Sequence, residues 1–295
     1  MEVKVYRLNV FAETTNGGNP AGVVLDADFL SLDEMQKIAK KVGLSETAFV
    51  QKSTNADYKV IFFTPDGEVD LCGHATVAVF YLLAEKEIIQ VGKYKQETKA
   101  GILEVEYRDD GMIYMNQCKP KFYKTLDKKE IADTLNIDVD EIMADLPVQI
   151  VSTGLKDILI PIKSLKTLCD IKPNFDKISH VSKKYGVIGY HIFTLETKHA
   201  STAHCRNFAP LYDIFEEAAT GTSSGALSCY LYKYGVILEK NIKGLIFEQG
   251  YSMNKPSKIL ANLIVCDYEI IEVKVGGTAL NIENKDIKNL SLKKG

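Results

Sequence analysis

One pattern of residues occurs once in each half of this chain. The first copy runs from Phe63-Thr64-Pro65 through Cys72-Gly73-His74-Ala75-Thr76 into an apolar stretch, residues 77–83. The second runs from Phe208-Ala209-Pro210 through Ala219-Thr220-Gly221 into residues 226–231. Each copy reads Phe-x-Pro, an acidic residue, a small-residue turn and a helix-like apolar run. The repeat predicts two similar domains, each with a central helix buried on all sides.

The start of each predicted helix is a candidate anion site. Unpaired backbone N–H groups and the positive end of the helix dipole favour a negatively charged ligand there. We expect both helix starts to face a cleft between the domains. Two such starts suit a small carboxylate-bearing substrate.

Composition narrows the class of protein. The chain has 295 residues, 46% hydrophobic and 25% charged, which allows two ordinary globular domains. The net charge of −3 argues against a nucleic-acid partner. The N-terminus lacks a signal-peptide pattern, and the longest apolar run is too short to cross a bilayer. We therefore predict a cytoplasmic protein without a membrane partner, whose 6 cysteines are reduced thiols.

Strand signals outnumber helix signals, and short turns join most neighbours. This favours an α+β fold with mostly antiparallel sheets. Ser31-Leu32-Asp33-Glu34 predicts a capped helix that ends at Gly43. Residues 119–127 are interpreted as a crossover between the halves. The predicted domains are 1–118 and 119–295, with the option that the last residues join the first domain.

No motif for a common cofactor is present. The chain has no G-x-G-x-x-G after a strand, no G-K-[ST] and no H-E-x-x-H. We therefore predict that neither a cofactor nor a metal is bound. His199, His204 and Cys205 have ligand chemistry but lack a fourth ligand at the usual spacing. They support a metal-dependent hydrolase only as an alternative.

Several short motifs, taken in order, resemble the PhzF-like family of phenazine-biosynthesis isomerases. They are Gly18-Asn19-Pro20-Ala21-Gly22, Leu44-Ser45-Glu46-Thr47, Asp70-Leu71-Cys72-Gly73-His74, Arg206-Asn207-Phe208, Glu216-Glu217-Ala218-Ala219-Thr220-Gly221-Thr222, Gln249-Gly250 and Lys255-Pro256-Ser257. The resemblance covers almost the whole chain. It implies the diaminopimelate-epimerase-like fold, in which each of two pseudo-symmetric domains is a curved sheet around a central helix, and it implies a homodimer.

The resemblance assigns roles to three polar residues. Glu46 is the expected catalytic acid/base, because a carboxyl whose pKa is raised by burial can take and return a proton near neutral pH. We expect domain closure to raise that pKa. His74 and Glu217 are expected to hold the substrate's amine or hydroxyl, or to handle a second proton. Glu217-Ala218 stands where the family usually has Asp-Pro, which leaves the substrate in question.

The remaining expected ligands bind the substrate through backbone or small polar groups. They are Asn19, Ser45, Gly73, Thr220, Gly221 and Thr222. Each functional residue also has an ordinary structural explanation. Glu46 could be a strand-edge carboxylate, His74 a helix-start residue, Glu217 a partner of the helix dipole and Asn19 a turn residue.

The resulting prediction is a cofactor-independent isomerase that shifts a proton on a small amino or hydroxy acid. A Cys72-dependent epimerase or racemase is a second possibility. It is disfavoured because Thr220 stands where the second thiol of such enzymes aligns, and a small buried residue explains Cys72 as well. A non-catalytic protein that binds small acids is the third. The sequence leaves the substrate and any part in phenazine synthesis open.

Overall fold

The structure is a computed structural model, and it describes residues 2–288. The contacts divide the chain into two units. Unit 1 takes the residues up to Met115 and those from Gly276 on, and unit 2 is Asn116–Val275. Residues 289–295, which the predicted second domain included, lie outside the described residues.

Unit 1 is a sheet that packs against one buried helix. Its elements in chain order are β1 (Glu2–Val10), β2 (Asn19–Val24), α1 (Leu32–Val42), β3 (Glu46–Gln51), β4 (Tyr58–Phe63), β5 (Glu68–Val69), α2 (Gly73–Glu85), β6 (Gly92–Thr98), β7 (Gly101–Tyr107) and β8 (Ile113–Asn116). The helix α2 contacts β1, β2, β3 and β7. It is apolar on nearly all sides, which suits burial within the unit.

Unit 2 repeats this arrangement with additional helices. Its elements are β9 (Lys121–Thr125), α3 (Lys128–Leu135), β10 (Gln149–Ser152), β11 (Lys156–Pro161), α4 (Leu165–Asp170), α5 (Phe175–Tyr185), β12 (Gly189–Thr194), β13 (Ala203–Ala209), β14 (Ile214–Glu217), α6 (Gly221–Lys233), β15 (Leu245–Gln249), β16 (Ser257–Cys266) and β17 (Glu269–Gly277). The helix α6 contacts β10, β11 and β16. The last strand, β18 (Ala279–Lys288), pairs with β1 in unit 1.

The same order of strand directions occurs in both units. In unit 1, β1–β2 is antiparallel, β2–β3 parallel, β3–β4 antiparallel, β4–β6 parallel and β6–β7 antiparallel. In unit 2, β10–β11, β11–β12, β12–β13, β13–β15 and β15–β16 follow the same sequence. The predicted α+β class with mostly antiparallel sheets and a repeated central helix is confirmed.

Three local expectations can be compared with the structure. The predicted helix at Ser31 is α1, with both halves of its capping box formed and Gly43 ending it at φ 68°. The predicted crossover is partly wrong, because Lys121–Thr125 forms β9, which pairs with β10. By its contacts β18 groups with the first unit, and the predicted domains 1–118 and 119–295, with the option that the last residues join the first, stay a prediction. No helix in residues 2–288 is both long and apolar enough to cross a membrane.

Close packing at the start of β12 leaves no room for a side chain. A Cβ added to Gly189 would overlap the carbonyl oxygen of Phe208 and lie 2.9 Å from the Cα of Ala209. Both are backbone atoms of the neighbouring strand, so they cannot move aside as a flexible side chain can.

We predict that Gly189→Ala lowers the free energy of unfolding by about 2 kcal/mol or more, because overpacking strains the β12–β13 pair. Gly67→Ala is the matched control, since its Cβ would meet no atom within 4 Å. It should change the free energy of unfolding by less than about 0.5 kcal/mol. Urea denaturation of the three proteins measures both differences, and equal stability of the two variants would contradict the packing argument.

Candidate functional site

The start of α2 carries the main cluster of reactive side chains in unit 1. Cys72 is the residue before α2, and His74 is the second residue of the helix. Glu46 begins β3, which lies against α2. The strand and the helix therefore bring these three predicted or weighed residues together, although Glu46 is distant from the other two in sequence.

His74 lies between Cys72 and Glu46. Its Nε2 is 3.2 Å from Oε2 of Glu46, and its Nδ1 is 3.4 Å from Sγ of Cys72. The side chain of His74 is 8% exposed and that of Glu46 is 20% exposed. Although Nε2 and Oε2 are close, neither has a hydrogen-bond partner of good geometry. Two buried polar atoms therefore keep unused hydrogen-bonding capacity.

The charges of this cluster act on one another. Burial would raise the pKa of Glu46, but the positive charge and close contact of His74, with a hydrogen bond from Ser45, bring it below its usual value. Burial would lower the pKa of His74, but its close contacts with Cys72 and Glu46 raise it well above its usual value. The pKa of Glu46 is therefore lowered on balance in this arrangement, in which His74 is its partner, and the expected rise on domain closure stays a prediction.

Burial and the nearby Glu46 charge raise the pKa of Cys72. The sulfur therefore stays a neutral thiol near pH 7.

The same three residues are also the kinds of ligand that a zinc ion uses. Their ligand atoms lie within 4.8 Å of one another, and no second grouping of this kind occurs in residues 2–288. However, Cys72 faces Nδ1 of His74 while Glu46 faces Nε2. His74 thus contacts its two neighbours through different ring nitrogens, whereas a metal ion would take only one of them. A metal-free site stays a prediction.

Unit 2 places a second carboxylate at the start of its own central helix. Glu217 ends β14, and its Oε2 accepts a hydrogen bond of 2.5 Å from the Thr220 hydroxyl. Gln249 donates to the Glu217 carbonyl at 2.8 Å and to Oγ1 of Thr220 at 3.0 Å. Its Oε1 accepts from the Thr220 N–H at 3.2 Å. The loop that enters α6 is thus fixed by side-chain hydrogen bonds.

The two central helices differ from the others in how they begin. The side chains of Ser31, Asp127, Ser164 and Asn174 accept hydrogen bonds from first-turn N–H groups of α1, α3, α4 and α5. Cys72 and Thr220 make no such capping bond to α2 and α6. First-turn donors of the two buried helices therefore lack the partner that the other helices have.

The remaining predicted ligands lie at the ends of these elements. Gly73 and Gly221 are the first residues of α2 and α6. Ser45 directly precedes β3, and Asn19 begins β2 as a buried residue. The carbonyl of Thr222 accepts a hydrogen bond of 3.1 Å from the Thr153 hydroxyl.

Sequence reasoning missed Asp157. This residue of β11 is 2% exposed and accepts a 2.6 Å hydrogen bond from the Ser223 hydroxyl of α6. Burial raises the pKa of Asp157 to about 7, and the charge of Glu217 acts in the same direction. The sequence signal was weak. A single Asp in a mostly apolar strand indicates a functional carboxylate only once its distant partner, Ser223, is known.

The alternative metal site at His199, His204 and Cys205 does not come together as a cluster. Nδ1 of His204 lies 2.7 Å from Oε2 of Glu248, and that carboxylate also accepts the backbone N–H of His199 at 2.7 Å. Cys205 and His204 are neighbours on β13. Because successive side chains of a strand point to opposite faces, the two do not point into one site. These contacts give Glu248 a structural role in holding the loop before β13.

We predict that Glu46→Gln lowers the pKa of His74, because it removes a negative charge while the imidazole stays buried. NMR titration of the histidine ring signals measures this change. Glu104→Gln is the control. Glu104 lies on β7 and its carboxylate is paired with Lys93, so this variant should leave the His74 titration unchanged. An unaltered His74 pKa in the Glu46 variant would show that the two groups are not coupled.

Comparison with known proteins identifies the family of this chain. The model of the PhzC-PhzF family, described as phenazine biosynthesis-like protein, matches residues 8–285. The chain is 37% identical to an uncharacterized isomerase, YfhB of Bacillus subtilis, over 97% of this chain and 99% of that protein. It is 32% identical to the uncharacterized isomerase YddE of Escherichia coli K12, over 95% and 96% of the two chains.

Solved structures show the same fold. A phenazine biosynthesis protein of the PhzF family from Bacillus anthracis superposes with a TM-score of 0.88 at 33% identity, over 98% of this chain and 100% of that one. A hydroxyproline epimerase from Agrobacterium vitis, with a TM-score of 0.63 at 10% identity over 97% and 91%, shares the fold alone. The match to the family model and to these relatives shows that the chain belongs to the PhzC-PhzF phenazine biosynthesis-like family.

Proposed function

We propose that this chain is an isomerase that moves a proton on a small carboxylate-bearing amino or hydroxy acid, with Glu46 as the acid/base and without a cofactor. Its relatives are named isomerases, which supports the reaction class. The observation that carries the proposal is the buried pair Glu46 and His74, whose facing atoms are 3.2 Å apart and lack a well-formed hydrogen bond.

The charge state of this pair suits proton transfer. Because His74 lowers the pKa of Glu46, the carboxylate is ionised near neutral pH and can act as a base. A substrate atom that takes over the contact with His74 would remove that stabilisation. Burial would then raise the pKa of Glu46 at the moment it accepts a proton. The group that takes the proton thereby becomes able to return it.

The proposed step leaves the atomic composition of the substrate unchanged, and the proton that Glu46 carries can exchange with solvent before it is returned. Glu46 removes a proton from carbon, and the electron pair of the broken C–H bond moves into the adjacent unsaturated system. The resulting Glu46 carboxyl returns the proton to another carbon of that system, which restores the carboxylate. His74, as an imidazolium, stabilises the negative charge that develops on the substrate. No oxidant, reductant or leaving group is needed.

In the proposal, other groups of the chain bind the substrate. Uncapped first-turn N–H groups of α2 and α6 suit a carboxylate, and the rigid loop at Glu217 suits an amine or hydroxyl. The cleft between domains and the homodimer, both expected from the sequence, stay predictions.

A Cys72-dependent epimerase is the second candidate, and one observation favours it. Sγ of Cys72 lies 3.4 Å from Nδ1 of His74, within reach of a base. The raised pKa of Cys72 opposes it, because a neutral thiol is a poor base. We therefore expect Cys72 to orient the imidazole, and the following experiment separates the two roles.

We predict that the protein exchanges deuterium into a carbon position of its substrate in D₂O, as observed by NMR with a panel of cyclic and unsaturated amino and hydroxy acids. Glu46→Gln should reduce the exchange rate by about 10²–10⁴-fold, which is the usual contribution of a general acid/base. Cys72→Ser should retain the rate within about tenfold, because serine keeps a polar neighbour for His74.

The surface variant Glu104→Gln is the control and should exchange at the wild-type rate. Exchange that survives in Glu46→Gln but is lost in Cys72→Ser would replace the proposal by the thiol mechanism. Binding without exchange for every acid would favour a non-catalytic small-acid-binding protein.

The pH dependence of kcat/KM provides a further prediction. Glu46 must be ionised, and its pKa lies below the usual 4.5, so the acid limb should fall below that pH. His74 must be protonated, and its pKa lies well above the usual 6.5, so the alkaline limb should begin well above that pH. We therefore expect a plateau that spans the interval between them. A rate that already falls by pH 6.5 would contradict the role of an imidazolium.

A further inference from the structure

The internal repeat locates the counterpart of Glu46 in unit 2. Glu46 begins β3, where it pairs with Ala21 of β2, and the next residue, Thr47, pairs with Phe63. In unit 2, Gly189 begins β12, where it pairs with Asp157 of β11, and the next residue, Tyr190, pairs with Phe208. Phe63 and Phe208 are the phenylalanines of the two Phe-x-Pro motifs. Gly189 therefore corresponds to Glu46, and Asp157 corresponds to Ala21.

Unit 2 thus keeps a carboxyl near the start of its central helix, but on the neighbouring strand. Gly189 cannot carry a side chain, because its Cβ would overlap the backbone of Phe208. The Asp157 carboxyl reaches the first turn of α6, where it accepts the Ser223 hydroxyl at 2.6 Å. In unit 1 the Glu46 carboxyl reaches the first turn of α2 in the same way, where it contacts His74.

We propose that Asp157 is a further positioning residue for the isomerase reaction: it holds Ser223 and the first turn of α6, and it carries a proton when an anion binds at that helix start beside Glu217. The inference rests on the proposed function only in placing a substrate carboxylate at the start of α6. Asp157 acts through Ser223, and its own carboxyl need not touch the substrate.

The surroundings of Asp157 explain why a proton should be linked to the anion. The groups that act on its carboxyl are the Ser223 hydroxyl from α6, the Gly189 N–H from β12 and the negative charge of Glu217 from β14. His191, two residues along β12 from Gly189, is fully buried, and burial lowers its pKa to about 4, so it is neutral near pH 7.

A bound anion adds a second negative charge to this environment. Protonation of Asp157 then relieves the repulsion. The affinity of the anion therefore depends on that proton, since binding and proton uptake are linked.

The protonation of Asp157 can be followed without turnover. NMR of protein labelled with aspartate carrying a ¹³C carboxyl gives the titration, and Asp157→Asn assigns the signal. We expect a midpoint near pH 7 in the wild type. Glu217→Gln should lower the midpoint because it removes a negative charge, and Ser223→Ala should raise it because it removes a hydrogen bond to the carboxylate. A midpoint in the normal range for an aspartate would overturn the proposal.

The anion link is tested with 2-aminobenzoate, a stable amino acid that carries a carboxylate. Saturating probe should raise the midpoint of Asp157, and probe affinity in the wild type should fall by up to about tenfold for each pH unit between the free and the probe-bound midpoints. In Asp157→Asn the affinity should not change with pH over this range. Asp176→Asn, which removes an exposed carboxylate on α5, is the control and should keep the wild-type slope. Equal slopes in wild type and Asp157→Asn, or no binding of the probe, would overturn the link.

The outcomes distinguish this inference from the proposed function. Absence of deuterium exchange would overturn the isomerase and leave the titration results standing. Where exchange is found, the ratio of KM between Asp157→Asn and wild type should change with pH while the ratio of kcat changes less. If Asp157→Asn fails to fold, the opposite shifts caused by Glu217→Gln and Ser223→Ala decide the question.

Discussion

The burial of two helices on nearly all sides is the constraint on which the rest of the structure depends. A helix surrounded by sheet offers few partners to polar side chains along its length, so α2 and α6 consist mostly of apolar and small residues. The buried hydroxyls farther along α6, those of Ser228 and Tyr230, donate to backbone carbonyls, whereas the first turn also offers backbone N–H groups that are free of the helical ladder. Glu46 and His74 meet at one such turn, and Asp157 and Ser223 meet at the other. The positions of the reactive groups thus follow from the way each unit is closed around its helix.

Much of the fold could be read from the sequence because its signals are local or repeated. The capping box at Ser31 predicted α1, and the mostly apolar runs that come soon after Gly73 and Gly221 predicted α2 and α6. The two Phe-x-Pro copies predicted the duplication. The partner of the C-terminal strand was harder to predict. β18 pairs with β1, at the other end of the chain, and no local sequence pattern marks that pairing. The short strand β9 was missed for a related reason. Its sequence has no clear strand pattern, and it is a strand because it pairs with β10.

The site was predictable in its residues and less so in its electrostatics. Motif order led to Glu46 and His74, yet the direction of the Glu46 pKa depends on a contact between a strand and a helix start that spacing alone does not specify. Asp157 had no motif at all. Its partner Ser223 lies in a different element far along the chain, and only the strand register shows that it stands one strand from the counterpart of Glu46. Long-range register therefore carries information about function that composition and local pattern cannot supply.

The missing side chain at Gly189 has an evolutionary consequence. A duplicated fold starts with two equivalent places for a base, here the first residues of β3 and β12. In this chain the backbone of β13 occupies the space that a second glutamate would need. Mutation at that codon therefore cannot recreate a symmetrical pair. A descendant that acquired a second base would have to recruit it from another strand or from the loop before α6, so the two halves of the fold have diverged along paths that are not interchangeable.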